Sequence, residues 1–209
     1  MKHEIAFVDK NHQHEIEQLR RQEYAQASGY SLDLNSLRWQ TSDDESFVMV
    51  AKDNGTIVAT MRGEVILDPS VLEKKLECPW DFETPRQLPV LLLSRAATLK
   101  SYQAQGLNLV MRYWFLKLAE HYRIPMVVGT FVTGSPRQNT LLSMGYQFHE
   151  NKQGWQQSTY RSHRDVIVAV LDMENKPQAF TYCENKFVTN KNPYALSTDF
   201  PEIKYVRSL

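Results

Sequence analysis

The sequence predicts an α/β protein, a mixed sheet with helices on its faces. Three observations carry that expectation. Residues Val90–Leu93 are bulky and apolar at every position, as in a strand buried on both faces. A Gly-bearing loop follows, after which Leu107, Val110, Met111, Trp114, Phe115, Leu118 and Tyr122 recur at helical steps of three and four. Earlier, Asp53-Asn54-Gly55 separates two β-rich runs, the chemistry of a tight hairpin turn.

The elements follow in order. Glu4–Val8 alternates weakly and reads as a first strand. His14–Ala27 is rich in Glu, Gln, Arg and Ala, with Ile16, Leu19 and Tyr24 on or near one face, so a helix is expected. Ser31–Gln40 reads as a second short helix, and Phe47–Lys52 with Thr56–Ile66 as the hairpin. Leu67–Leu88 holds Pro69, Pro79 and Pro85 and reads as a surface insertion with a short helical piece at Leu72–Leu76. Pro89–Thr98 and Met126–Phe131 are strands on either side of the long helix. Ser135 can cap a helix beginning at Pro136 and ending at Gly145. Tyr146–His149 and Asp165–Leu171 look like a final antiparallel pair. After Asp172 the chain turns polar and aromatic without clear periodicity.

Composition narrows the function classes. At 209 residues the chain fits one domain with a proper core. Lys+Arg and Asp+Glu are equal at 24 each, so no overall field favours nucleic acid or an anionic membrane. No apolar stretch approaches a membrane span, and Met1–Glu15 lacks a signal-peptide core. Cys78 and Cys183 form no disulfide framework. The expectation is a cytoplasmic protein without a metal: His3, His12 and His14 lack a fourth ligand and read as solvated surface.

A strand entering a helix through a Gly-bearing turn leaves N–H donors and a helix dipole facing one point, an anion site. An ordinary strand–helix connection is the competing reading. The order of residues inside the turn favours the first. Gln103-Ala104-Gln105-Gly106-Leu107-Asn108 resembles the Arg/Gln-x-x-Gly-x-Gly/Ala motif of the GCN5-related N-acyltransferases. In two respects it departs: the last position is Asn108, and the loop holds no Arg or Lys, Lys100 and Arg112 being nearest. The element order matches that fold over roughly Met1–Met173, which we expect to be the acyltransferase domain, with 174–209 as an extension that mediates dimerisation or covers the site. Asp43-Asp44 and Thr60-Met61-Arg62, with Leu92-Leu93-Ser94-Arg95, resemble segments of the acyl-homoserine-lactone synthases and N-acyl amino acid synthases within the same family.

The resemblance implies transfer of an acyl group to a primary amine, with acetyl-coenzyme A, a longer acyl-coenzyme A or an acyl carrier protein as donor. The partners it implies are a small-molecule amine and that carrier protein, for a monomer or homodimer. It also implies that Pro89–Thr98 and Met126–Phe131 splay apart to admit the donor. On this reading Arg95, Ala96, Ala97 and Thr98, the loop residues Gln103, Ala104, Gln105, Gly106, Leu107 and Asn108, and Asn139 bind it. A backbone N–H near Arg95–Ala97 would stabilise the oxyanion, a kind of donor worth ~3 kcal/mol of barrier. The family's usual carboxylate base is missing, since no Asp or Glu lies between Leu88 and Leu99, and its usual Tyr acid is Leu141 here. Glu64 is the replacement candidate for base, with partnership to Arg62 as its alternative, and Tyr102 is the candidate acid, with packing beside the loop as its own. Arg95 needs a carboxylate, for which Asp43 or Asp44 is the source. Trp155 and Tyr160 are candidates for lining an apolar pocket, with ordinary packing as their alternative. A non-catalytic module that binds the thioester on the same fold is the competing function.

Overall fold

The computed structural model describes residues 3–26, 34–150, 166–189 and 196–205. Trp155 and Tyr160 lie outside them. Within the described residues, seven strands form one sheet: β1 (Glu4–Val8), β2 (Phe47–Asp53), β3 (Thr56–Ile66), β4 (Val90–Thr98), β5 (Met126–Val132), β6 (Gln147–Glu150) and β7 (Val166–Asp172). Their spatial order is β1-β2-β3-β4-β5-β7-β6. Neighbours run antiparallel except β4 and β5, which are parallel. The β2–β3 turn has Asn54 at φ 49° and Gly55 at φ 83°, the doubly left-handed turn that matches strand twist.

Among the described residues, six α-helices accompany the sheet: α1 (Gln13–Gln26), α2 (Thr41–Asp44), α3 (Pro69–Leu76), α4 (Leu107–His121), α5 (Arg137–Ser143) and α6 (Lys176–Thr189). Two differ from the sequence expectation. In place of a helix over 31–40 there is a 3-10 turn at Leu34–Leu37, and the α-helical turn α2 falls later. Asp43 fixes that start, its Oδ2 accepting the Gln40 N–H at 2.9 Å. Helix α6 lies where no periodicity was expected. Its Phe180, Cys183 and Phe187 are nevertheless at steps of three and four, and Tyr113 of α4 meets the rings of Phe180 and Phe187 edge-on.

The two faces of the sheet differ in character. One is apolar from β2 to β7 and is covered by α4 and α6, with Phe115, Leu116 and Met111 wholly buried. The other carries two separate apolar patches. Helix α1 covers Ala6, Val48, Val50 and Ala97, whereas α3 covers Ile66, Val90, Leu92 and Val128. Between the patches, β3 and β4 present Arg62, Glu64 and Ser94.

Gly63 shows how closely α4 approaches. A Cβ there would stand 2.5 Å from Cε1 of Phe115, whose ring is fully buried. Gly63→Ala is therefore expected to lower stability by about 1–3 kcal/mol through overpacking. A denaturant midpoint shift at constant slope would check this.

The C-terminal segment closes over the outermost strand. Leu196 bridges to Ile5, Ser197 N–H donates to Ile5 O at 2.8 Å, and Phe7 N–H donates to Thr198 Oγ1 at 3.1 Å. Phe200 packs against Phe7 and Trp114, and the Tyr122 hydroxyl donates to Pro201 O. Among the described residues, no helix is long and apolar enough to cross a membrane, and no cluster of His, Cys, Asp or Glu is arranged to hold a metal.

Candidate active site

The parallel pair β4–β5 is joined over four rungs only, from Val90↔Met126 to Leu93↔Gly129. Beyond them β4 stays with β3 to Thr98, and β5 stays with β7 to Val132. The strands therefore fork at Ser94. A bulge sits at the fork: Arg62 opposes Ser94 and Thr60 opposes Ala97, so Arg95 and Ala96 together face the single residue Met61. Arg95 takes the left-handed φ of 52°. Neither Arg95 nor Ala96 has a register partner of its own on β3.

The Gly-bearing loop lies where β4 hands over to α4. Ala104 and Gly106 have positive φ, 64° and 82°, and Gly106 caps α4 without a side-chain hydrogen bond. Val110 N–H is the first to find the helical acceptor, Gly106 O at 3.0 Å, so the first-turn amides precede any partner in their own helix. Nδ2 of Asn108 is buried without a hydrogen-bond partner. An anion beside the loop would satisfy that donor together with the first-turn amides, so the residues present fit a diphosphate. Glu23 ties the loop to α1, accepting from Lys100 N at 3.3 Å and from Gln103 Nε2 at 3.4 Å. Asn139 is exposed on α5, at the far side of the fork.

On the other side of β4 lies a charged cluster that the sequence disclosed only in part. Asp43 Oδ1 accepts from Arg20 Nη2 at 2.9 Å and lies 3.6 Å from Arg62 Nη1; its Oδ2 lies 4.0 Å from Arg95 Nη1. Arg95 bonds most closely to Gln40 Oε1, at 2.6 Å. Glu64 accepts from Arg62 Nη2 and Lys75 Nζ, both at 2.7 Å, and from Ser94 Oγ at 3.1 Å. Asp43 and Glu64 are completely buried as side chains, and so is Arg20, whose Nε and Nη1 have no partner. Burial alone would raise the Asp43 carboxyl, but Arg20, Arg62 and Arg95 hold it below its ordinary value. Burial, helped by Arg62 and Arg20, pushes the Arg95 guanidinium down to about 10.

These placements separate the two acid–base candidates. Both Glu64 oxygens are engaged, which is the partnership with Arg62 along β3. The Tyr102 hydroxyl donates to Asp53 Oδ2 at 2.8 Å, and this hydrogen bond raises its pKa. Asp53 pairs with Thr56, eight positions from Glu64 along β3, or roughly 26 Å. Tyr102 and Glu64 therefore do not flank one reacting group. Asp43 supplies the carboxylate that Arg95 needs. His3 is not solvated surface: it is 4% exposed beneath the ring of Tyr102, because β1 carries it under the turn before the loop. Arg20, Glu23 and Lys75 went unread in the sequence. Arg20 and Glu23 had a signal, being charges on the Ile16–Leu19 stripe of α1; Lys75 had none, since α3 gives no hint of which side meets Glu64.

No protein-family model matches the chain, and no curated protein matches it by sequence. Solved structures do. The putative acetyltransferase yncA from Salmonella typhimurium, with acetyl-CoA, aligns over 83% of this chain and 95% of its own at TM-score 0.58 and 15% identity. The CoA-dependent acyl-homoserine lactone synthase BjaI, with SAM and isopentyl-CoA, covers 96% and 95% at TM-score 0.62 and 13% identity. FeeM, an N-acyl amino acid synthase from uncultured soil microbes, covers 88% and 99% at TM-score 0.59 and 12% identity. The fold is therefore that of the GCN5-related N-acyltransferases. Among its solved neighbours are both acetyltransferases and the synthase branch.

Proposed function

We propose that this chain is an N-acyltransferase that moves an acyl group from a coenzyme A or carrier-protein thioester to a primary amine. The observation that carries the reading is the fork at Ser94 with the donor-rich loop Gln103–Asn108 at its mouth. First-turn amides from Gly106 to Leu109, with Nδ2 of Asn108, would grip a diphosphate. The edges of Arg95–Ala97 and Phe131–Val132 that face each other across the fork would hold the donor's extended arm between them. When bound, the donor supplies an activated acyl carbon. The residues of the fork orient it, and N–H groups of the Arg95–Ala97 bulge meet the oxygen that gains charge. Glu64 serves in this reading as the anchor of Arg62, and Tyr102 as packing beside the loop.

The test is thiol release from acetyl-CoA and decanoyl-CoA against a panel of amines that includes free amino acids, with CoA binding followed by calorimetry. Turnover with any pair is expected. Silence throughout, with no binding of CoA, would end the reading. Tight CoA binding without turnover would instead favour the binding module, for which the missing Glu base and Tyr acid speak.

A further inference from the structure

Among the described residues, six ionisable side chains meet beside the fork, and their charges do not cancel. Arg20 comes from α1, Asp43 from α2, Arg62 and Glu64 from β3, Lys75 from α3 and Arg95 from β4. Four cations thus face two carboxylates, an excess of two positive charges in a largely dehydrated place. Side-chain exposure is zero for Arg20, 7% for Arg62, 11% for Lys75 and 14% for Arg95, so water screens the excess poorly. Tyr24 of α1 also faces the cluster, and Asp44 stands at its exposed rim, its carboxylate accepting from Trp39 Nε1. The two unpartnered nitrogens of Arg20, Nε and Nη1, mark the same shortage of negative charge. Ser94, the first residue of the fork, accepts from Arg62 Nε and donates to Glu64 Oε2, both at 3.1 Å, so the cluster reaches the splayed edge.

We infer that this cationic cluster takes the place of both an acid and a base: it holds the departing sulfur as a thiolate and keeps the incoming amine unprotonated. The inference rests on the acyl-transfer reading above. The ammonium loses its proton to solvent before attack, because a nearby positive excess disfavours its charge. Its nitrogen then bonds to the acyl carbon, the carbon–sulfur bond breaks, and the sulfur leaves with the electron pair. The second proton on nitrogen goes to solvent, and the thiolate is protonated only after it leaves the field. No carboxylate needs a free lone pair and no tyrosine needs to stand near the sulfur. This agrees with a fork that has Leu141 at the usual acid position and a Glu64 engaged on both oxygens.

A cysteine at position 94 would report the field without any donor. The thiolate of Ser94→Cys would face Arg62 Nε and the Glu64 carboxylate alike, so it reads the excess left by Arg20, Lys75 and Arg95. Followed by ultraviolet absorbance against pH, it is expected to form below the ordinary thiol value near 8.5. Adding Arg95→Gln should move it up by about one unit. The native thiols do not interfere, since burial pushes Cys78 and Cys183 up to about 12. Ser42→Cys is a second reporter, because Arg62 Nη1 donates to Ser42 Oγ at 3.1 Å, and it decides the matter if the first variant fails to fold. A reporter thiol at or above its ordinary value overturns the inference while leaving the transfer assay standing. A silent transferase with a depressed reporter ends the reading beneath it. With acetyl-CoA and an amine that turns over, folded Glu64→Gln should shift the pH profile of kcat/KM to lower pH. A loss of about 100-fold or more at every pH would make Glu64 the base and refute the inference.

Discussion

Asp43→Ala should cost the fold about 3–5 kcal/mol, the largest single-residue loss outside the apolar core. The carboxylate is completely buried and accepts from Arg20 and from the Gln40 N–H, with Arg62 and Arg95 close by. Removing it leaves three guanidiniums facing one another in a dehydrated pocket and frees the cap of α2. The same group sets an acid limit. Its pKa is held below 3.8, so its contribution is complete above the unfolded value, near 3.9, and is lost as pH falls through the folded value. Wild-type protein should therefore lose stability steeply in that acid range, whereas Asp43→Ala should start lower and fall less. Urea midpoints measured from neutral pH down to about 3 would show both effects. Parallel curves for the two proteins would contradict the assignment.

Gly106→Val is expected to raise the Kd for CoA about 100-fold, or ~2.7 kcal/mol, with the fold intact. Gly106 has φ 82°, where a β-branched residue is strained by roughly 1–2 kcal/mol, and relief of that strain would rotate the amides that follow. The new side chain also stands among the donors meant for the diphosphate. Calorimetry with CoA, alongside a thermal melt, separates the two effects. Unchanged affinity in a folded variant would remove the loop from the binding site.

The strands and the helices α1 and α4 were legible because their spacing repeats, whereas α6 was not. Pro89–Thr98 read as a strand, and Leu107–Tyr122 as a helix, within one residue of the observed bounds. The hairpin was legible for a different reason, since Asn54-Gly55 tolerates left-handed backbone. The bulge at Arg95 was not. No residue type announces it; it follows from how β3 and β4 align on each side of Met61, which is a property of two strands together. The charged cluster lay between these cases. Arg62, Arg95 and Asp43 were picked out by resemblance, but their common meeting point depends on α1 and α3 lying apart on one face. Only the three-dimensional arrangement shows that Arg20 and Lys75 join them and that positive charge is left over.

The strap formed by residues 196–205 has a consequence for how copies of this protein behave in solution. Strand β1 ends the sheet, and an uncovered outer strand offers its amides and carbonyls to any passing chain. Leu196, Ser197 and Thr198 occupy that rim at Ile5 and Phe7, and Phe200 conceals the rings behind it. Loss of the strap to a protease would leave the sheet open to edgewise growth, so precipitation on storage would follow trimming of the tail.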